Sequence, residues 1–204
     1  MNENIPVQVT KERSITPSGY FGSSVDNIVI LEDFIDKKDI EYVYDFCLTI
    51  NSFKSIPGDH WDNRVLDTIG IEALSKSVSI IISKYQKKLK EVIENKFKFE
   101  LGDRSPSLVI WRPGDGQAPH ADKEHPDGTP NMYPDNDIAS LFYWNDDYEG
   151  GEIYFPNQNV NLKIKAGSAV FFPGDKYYLH GVTQVISGKR FTSPAFWAVK
   201  NMKE

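Results

Sequence analysis

The chain has 204 residues, of which 40% are hydrophobic and 25% charged, so it is long enough for one domain with a substantial core. A net charge of -6 argues against a protein whose whole surface binds nucleic acid. The single cysteine, Cys47, excludes an intramolecular disulfide, and no apolar stretch is as long as a membrane span. No hydrophobic run follows a basic start, which argues against a signal peptide, so we expect a cytoplasmic protein with no membrane partner.

The first hundred residues predict a helical region behind a polar arm. An apolar stripe from Leu74 to Ile93 at helical spacing indicates one long helix with a charged outer face. The predicted elements, in order, are an arm over 1–24, a strand over 27–31, a helix over 37–51 capped by Asp36, a loop over 56–69, and the long helix over 72–96.

After residue 100 short β-rich runs alternate with turns rich in Gly, Pro, Asn and Asp. Many short strands with frequent turns are typical of an antiparallel sandwich or barrel. The predicted strands cover 107–111, 138–144, 152–155, 160–164, 168–172, 182–186 and 190–199. We therefore predict a mainly β protein with packed helices, in a single domain: a support region over 25–100 and a β-core over 101–200.

Three of the four histidines have an aspartate two residues later, a pair that can bind a metal ion when both side chains leave one face of a strand. His125 and Asp127 flank Pro126 and precede Gly128, which predicts a turn instead. His60 and Asp62 lie outside the β-rich half, in a predicted surface loop.

His120 and Asp122 are the best placed, because they follow a predicted strand and a glycine turn. The remaining histidine, His180, lies in a second strand-rich stretch and could complete the site. Two imidazoles and one carboxylate on one face of an octahedron suit non-haem iron(II). On the pattern alone, ordinary structural histidines explain these residues equally well.

Arg190 follows His180 by ten residues, with Thr192 on the same face of the predicted strand. An arginine there could pair with a carboxylate of a dicarboxylic cosubstrate that also chelates iron. Taken alone, Arg190 is better explained as a surface charge at the end of a hairpin.

A longer set of motifs, in a fixed order, makes the interpretation specific. They are WRPG (111–114), PHAD (119–122), FYWND (142–146), EGGEIYFP (149–156), KAGSAVFF (165–172), HGV (180–182) and GKR (188–190). With these motifs, the chain resembles the 2-oxoglutarate- and iron(II)-dependent dioxygenases, in particular their prolyl 4-hydroxylase branch.

The resemblance implies a double-stranded β-helix, or jelly-roll, core. It implies Fe(II) held by His120, Asp122 and His180, and 2-oxoglutarate whose far carboxylate binds Arg190. The residues assigned to the cosubstrate are Arg190, Tyr143, Thr192 and Trp111. Dioxygen is the second cosubstrate and ascorbate the reductant; the products are a hydroxylated substrate, succinate and carbon dioxide.

The chain departs from the family pattern at two places. Trp111 stands where many relatives have tyrosine, and an indole can donate but not accept a hydrogen bond. The last strand contains Pro194 and is one residue longer than usual before its tryptophan, which predicts a bulge and leaves open whether Phe196 or Trp197 faces the pocket.

The loop KEHPDGTPNMYPDND (123–137) leaves directly from the metal ligands and is predicted to select the substrate. The residues assigned to substrate contacts are Trp61, Arg64, His125, Tyr133, Asn136 and Trp197. The leading hypothesis is hydroxylation of a peptidyl proline. The alternatives are a hydroxylase of a free amino acid or small metabolite, and a non-catalytic jelly-roll that binds metal or ligand. The sequence leaves the oligomeric state undetermined.

Overall fold

The computed structural model describes residues 16–103 and 105–202. The predicted fold class is confirmed: helices pack against an antiparallel, double-stranded β-helix core. Six strands form the larger sheet, in the spatial order β1 (Val29–Leu31), β10 (Ala169–Pro173), β6 (Ile138–Tyr143), β13 (Arg190–Trp197), β4 (Leu108–Trp111) and β2 (Val65–Leu66).

A smaller sheet faces the larger one, and two short ribbons flank them. The smaller sheet has the order β5 (Gln117–His120), β11 (His180–Val182), β8 (Ile153–Phe155) and β9 (Val160–Leu162). The ribbons pair β12 (Val185–Ser187) with β7 (Glu149–Gly150), and β14 (Val199–Met202) with β3 (Phe99–Leu101).

Alternating side chains of the larger sheet serve two cores. Phe142, Phe171 and Phe191 point to the outer face, where they pack in one cluster with Ile82 and Leu89 of the long helix. The neighbouring positions point between the two sheets, in a second cluster: Ala139, Tyr143, Val170 and Phe172. The period-two alternation of the strands therefore separates the helical support from the interior of the β-core.

Three helices provide this support: α1 (Lys37–Thr49), α2 (Thr68–Leu74) and α3 (Lys76–Phe97). The prediction of one continuous helix over 72–96 is wrong, because Ser75 is extended and its hydroxyl accepts from the Val78 amide. Ser75 thus ends α2 and caps α3. Leu74, the first residue of the predicted stripe, lies before this break and is exposed.

Other element boundaries also differ from the prediction. The predicted loop over 56–69 contains β2 and the start of α2, and the predicted strand over 182–186 is divided between β11 and β12. The first 15 residues of the predicted arm lie outside the described residues. The next ones pack onto the body: Thr16 is buried, and its hydroxyl donates to Asp137. The division into support and core regions stays a prediction, although the support region contributes both edge strands of the larger sheet.

A buried ion pair fixes both ends of the loop 123–137. The Lys123 ammonium lies 2.7 Å from an Asp137 carboxylate oxygen, and both side chains are almost completely buried. Asp137 also accepts from the Val199 amide at 2.8 Å, which ties the loop to β14. The loop therefore begins and ends at fixed points of the core.

Replacing Asp137 with asparagine is expected to lower the free energy of unfolding by about 3–5 kcal/mol, because the Lys123 charge stays buried without its negative partner. The double variant Lys123→Met/Asp137→Asn should lose less, since it removes that charge. Urea denaturation of both variants tests this. A single-variant loss below about 1 kcal/mol would contradict it.

Among the residues that the structure describes, no helix is both long and apolar enough to cross a membrane.

Candidate functional site

The smaller sheet brings the two best-placed histidines together. Strands β5 and β11 are antiparallel neighbours, and His180 is the direct partner of His120 in their register. The two ring centroids lie 4.4 Å apart. Asp122 follows two residues after His120, and one possible ligand atom from each of the three side chains lies within 4.8 Å of the others.

Backbone carbonyls orient both imidazoles. His120 Nδ1 lies 3.1 Å from the Ala118 carbonyl oxygen, and His180 Nδ1 lies 3.0 Å from that of Tyr178. A carbonyl only accepts, so each Nδ1 carries the proton and each Nε2 has a lone pair that can bind a metal. Both Nε2 atoms face Asp122, at 3.7 Å from one carboxylate oxygen and 3.6 Å from the other. Such outer hydrogen bonds are typical of histidines that bind metals.

The charge state of the three side chains also fits a divalent cation. Burial lowers the pKa of His180 to about 4. Burial is also the main cause that lowers the pKa of His120, and the nearby His180 is the second cause. Burial raises the pKa of Asp122 to about 6, so near neutral pH the set is two neutral imidazoles and one carboxylate. Asp122 Oδ2 is buried without a hydrogen-bond partner. A bound cation would satisfy this oxygen, and this donor set suits iron(II).

A second cluster of unsatisfied polar atoms surrounds Arg190. Its guanidinium is completely buried, and only one of its nitrogens has a partner: Nη2 donates to the Tyr143 hydroxyl at 3.0 Å. Nε and Nη1 have no acceptor. Arg190 lies opposite Trp111 in the register of β13 and β4, and the Trp111 indole nitrogen is likewise buried without a partner. These groups are all donors, so together they suit an anionic ligand such as a carboxylate.

Residues 107–198 match the family model described as 2OG-Fe(II) oxygenase superfamily. This part of the chain is therefore similar to 2OG-Fe(II) oxygenase domains. The match spans the proposed iron ligands and the cluster around Arg190, and that family implies Fe(II) and 2-oxoglutarate as cofactors.

The chain is also similar to two curated proteins whose names describe hydroxylases. The chain is 36% identical to human prolyl 3-hydroxylase 2 over 73 residues, which is 33% of this chain and 10% of that protein. It is 32% identical to a PKHD-type hydroxylase from a Psychrobacter species over 90 residues, or 42% of this chain and 34% of the relative. The matched segments therefore span 10% and 34% of these relatives.

The fold is similar to that of a Pseudomonas putida prolyl-4-hydroxylase, with a TM-score of 0.62 and 16% sequence identity. The superposition covers 86% of this chain and 94% of the other. At this identity the likeness supports the fold alone.

A glycine fixes the position of Asp122. The amides of Asp122 and Lys123 both donate to the Gly174 carbonyl, at 2.8 and 3.1 Å. A Cβ atom on Gly174 would lie 2.1 Å from the Asn136 carbonyl oxygen and 3.3 Å from Asp122 Cβ. Only glycine allows this close approach, which joins the aspartate to the strand end.

Replacing Gly174 with alanine is therefore expected to weaken iron binding by about 10- to 100-fold, the range found when outer-shell partners are lost. An anaerobic Fe(II) titration measures this. Gly102→Ala is the control, because an added Cβ there meets the flexible end of Lys200 at 3.0 Å. Equal affinities for the two variants would exclude Gly174 as the support of Asp122.

The two other His-x-Asp pairs have local structural roles. Asp127 accepts hydrogen bonds from the amide and hydroxyl of Thr129, in the turn that the sequence predicted. Asp62 accepts from the Ile56 amide. His60 contacts an Arg64 nitrogen at 3.0 Å through Nε2. Neither pair adds a third ligand, so the structure selects the pair at His120.

A cavity of about 780 Å³ opens at the side chains of His120, Asp122 and His180. The proposed iron ligands line it together with Trp61, Trp111, Tyr133, Asn136 and Thr192. Arg190 and Tyr143 are not part of its wall. Arg190 lies two residues before Thr192 on β13, and Tyr143 lies two residues after Leu141 on β6. Both therefore continue the rows of alternate residues that line the cavity.

Three residues assigned to the substrate lie outside this wall. Trp197 is the clearest correction: β13 pairs with β6 from Thr192 to Trp197 without a register shift, so Pro194 causes no bulge. Regular alternation then points Phe196 into the cavity and Trp197 to the helices, where its indole donates to Ser140.

The other two corrections concern Arg64 and His125. Arg64 is buried beside the rings of Trp61 and Trp111, at 5.2 and 4.2 Å from their centroids, rather than in the wall. His125 is exposed in the turn before Gly128.

Two contributors were missed by the sequence analysis. Gln117 lines the cavity, and its amide nitrogen lies 3.3 Å from His120 Nε2. Its position three residues before His120 was the available signal, but β5 itself was not predicted. The role of Gly174 follows only from the approach of two loops that are distant in the chain, and a single sequence gives no signal for such an approach.

Proposed function

We propose that the protein hydroxylates a C–H bond of a peptidyl proline, with dioxygen and 2-oxoglutarate as cosubstrates and succinate and carbon dioxide as co-products. The observation that supports this best is the pairing of two unsatisfied sites in one β-core. One is an acceptor-rich cluster of His120, Asp122 and His180, whose donor atoms suit a cation. The other is the donor-rich cluster at Arg190, whose buried N–H groups suit an anion. A 2-oxo dicarboxylate that chelates iron satisfies both.

Iron(II), when bound, supplies the activation of dioxygen and the oxidative chemistry. His120, Asp122 and His180 hold it, and the two backbone-bonded imidazoles set the direction of their Nε2 lone pairs. Three protein ligands leave positions open for the cosubstrates.

The cosubstrate is held at its far end by Arg190, whose planar guanidinium pairs with a carboxylate through two hydrogen bonds. Tyr143 holds the guanidinium in place, and Thr192 adds a hydroxyl on the same face of β13. Trp111 contributes its indole N–H, so a donor alone is enough at this position. Apolar wall residues, including Phe172 and Ile153, exclude water from the space between the two ends.

A peptide fits the mouth of the cavity better than a small metabolite does. The wall reaches Asp103 and Tyr133, whose side chains are exposed, so the cavity opens to solvent over the loop 123–137. A closed pocket would have favoured a free amino acid. The name of the human relative, prolyl 3-hydroxylase 2, supports proline as the target residue.

A turnover screen tests this proposal. The full chain is incubated with Fe(II), ascorbate and 2-oxoglutarate, and with either proline-containing peptides or free amino acids. We expect succinate release coupled to the gain of one oxygen atom by a peptide. Hydroxylation of a free amino acid alone would replace the proposed substrate class. Metal binding without any consumption of 2-oxoglutarate would leave the non-catalytic jelly-roll instead.

A further inference from the structure

A second tyrosine beside Arg190 has no role in the site described above. Tyr148 immediately precedes β7 and is 5% exposed. Its hydroxyl oxygen is buried beside the Arg190 guanidinium and makes no hydrogen bond of good geometry. A buried hydroxyl without a well-formed hydrogen bond destabilises the folded state, so a phenylalanine would be the better residue if the ring only filled space.

The surrounding backbone brings Tyr148 against Arg190. Gly151 has a φ of +68°, and a Cβ atom there would lie 3.1 Å from Arg190 Cδ and 3.2 Å from Tyr148 Cε2. Gly188 also lies close to Tyr148, since a Cβ atom added there would lie 2.9 Å from Tyr148 Cα. The two glycines therefore allow the ring and the guanidinium to share one small space.

Lys163 also contacts Tyr148, through both its ring and its backbone carbonyl. Its ammonium lies 3.6 Å from the centroid of the Tyr148 ring and donates to the Tyr148 carbonyl oxygen. Burial raises the pKa of Tyr148 to about 12, and the charge of Arg190 opposes this rise. The hydroxyl thus stays protonated and is available as a donor next to the guanidinium.

We propose that Tyr148 is an additional binding residue for the far carboxylate of 2-oxoglutarate, which accepts a hydrogen bond from its hydroxyl beside Arg190. This inference rests on the proposed function. The unpartnered donors are then Arg190 Nε, Arg190 Nη1 and Tyr148 Oη. A carboxylate has two oxygens with about four acceptor positions, enough for all three.

A binding experiment with the Mn(II)-loaded full chain tests this role without turnover. Isothermal titration gives the Kd of 2-oxoglutarate and that of oxalate, which chelates the metal but has no far carboxylate. Tyr148→Phe is compared with Tyr85→Phe. Tyr85 is an equally buried tyrosine on α3, but its hydroxyl donates to Asp39 at 2.7 Å.

We expect Tyr148→Phe to weaken 2-oxoglutarate binding by about 10-fold and to leave oxalate binding within twofold of wild type. Its melting temperature without ligand should be unchanged or higher, since an unsatisfied hydroxyl is removed. Tyr85→Phe should show the reverse: a lower melting temperature and unchanged binding of both ligands.

Wild-type affinity of Tyr148→Phe for 2-oxoglutarate would overturn the inference and leave the proposed function intact. Equal weakening of 2-oxoglutarate and oxalate would also overturn it, because the tyrosine would then act on the metal end. If the wild-type protein binds oxalate but not 2-oxoglutarate, both the inference and the proposed function fail.

Discussion

The variant Asp122→Ala is expected to bind Fe(II) more than about 100-fold more weakly than wild type and to consume no measurable 2-oxoglutarate. Asp122 supplies the only negative charge among the three proposed ligands, and the two imidazoles that remain are neutral. Its carboxylate lies between both Nε2 atoms, at 3.7 and 3.6 Å. An anaerobic Fe(II) titration and a succinate assay measure the two losses.

The chain offers matched controls in the aspartates of its other His-x-Asp pairs. Asp127→Ala and Asp62→Ala remove carboxylates that only accept hydrogen bonds in turns. Both variants should bind iron as wild type does. If either abolished iron binding while Asp122→Ala retained it, the assignment of the metal centre would be wrong.

The variant Arg190→Met is expected to raise the Kd of 2-oxoglutarate by about 100-fold or more, because a carboxylate loses its charged partner in a buried site. Iron binding should persist, since the proposed metal ligands lie at the end of β5, just after it, and in β11. Arg190→Lys should fall in between: it keeps the charge but loses the planar pair of donors.

Arg112→Met is the control for this series. Arg112 donates to the Asn63 carbonyl, and its guanidinium lies 5.3 Å from the centroid of the Phe53 ring, apart from the proposed carboxylate site. Titration of 2-oxoglutarate into the Mn(II)-loaded variants gives each Kd. An unchanged Kd for Arg190→Met would show that the far carboxylate binds elsewhere.

The sequence predicted the cluster of His120, Asp122 and His180, which the structure brings together, because most of its pattern is local in the chain. His120 and Asp122 share a face at the end of a strand, and only one histidine outside the His-x-Asp pairs was left to join them. The mainly β class followed from the short strands after residue 100, and the double-stranded β-helix from the family resemblance. The role of Arg190 also followed from that resemblance, since its charge alone was better explained by a position on the surface.

The errors came from features that the sequence does not determine locally. The helical periodicity continues across Ser75, so the break there depends on its serine cap and on tertiary packing. The face of Trp197 depends on whether Pro194 disturbs the register, and in the sheet it does not. Arg64 was placed near the substrate by its neighbour Trp61, but its own side chain is buried behind the wall.

Anomalous diffraction from crystals soaked anaerobically with Fe(II) and 2-oxoglutarate tests the central claim most directly. One iron peak should lie between His120 Nε2, Asp122 and His180 Nε2, with the far carboxylate of 2-oxoglutarate on the Arg190 guanidinium. Iron at another position, or a 2-oxoglutarate molecule that chelates the metal but leaves Arg190 unpaired, would contradict this account of the protein.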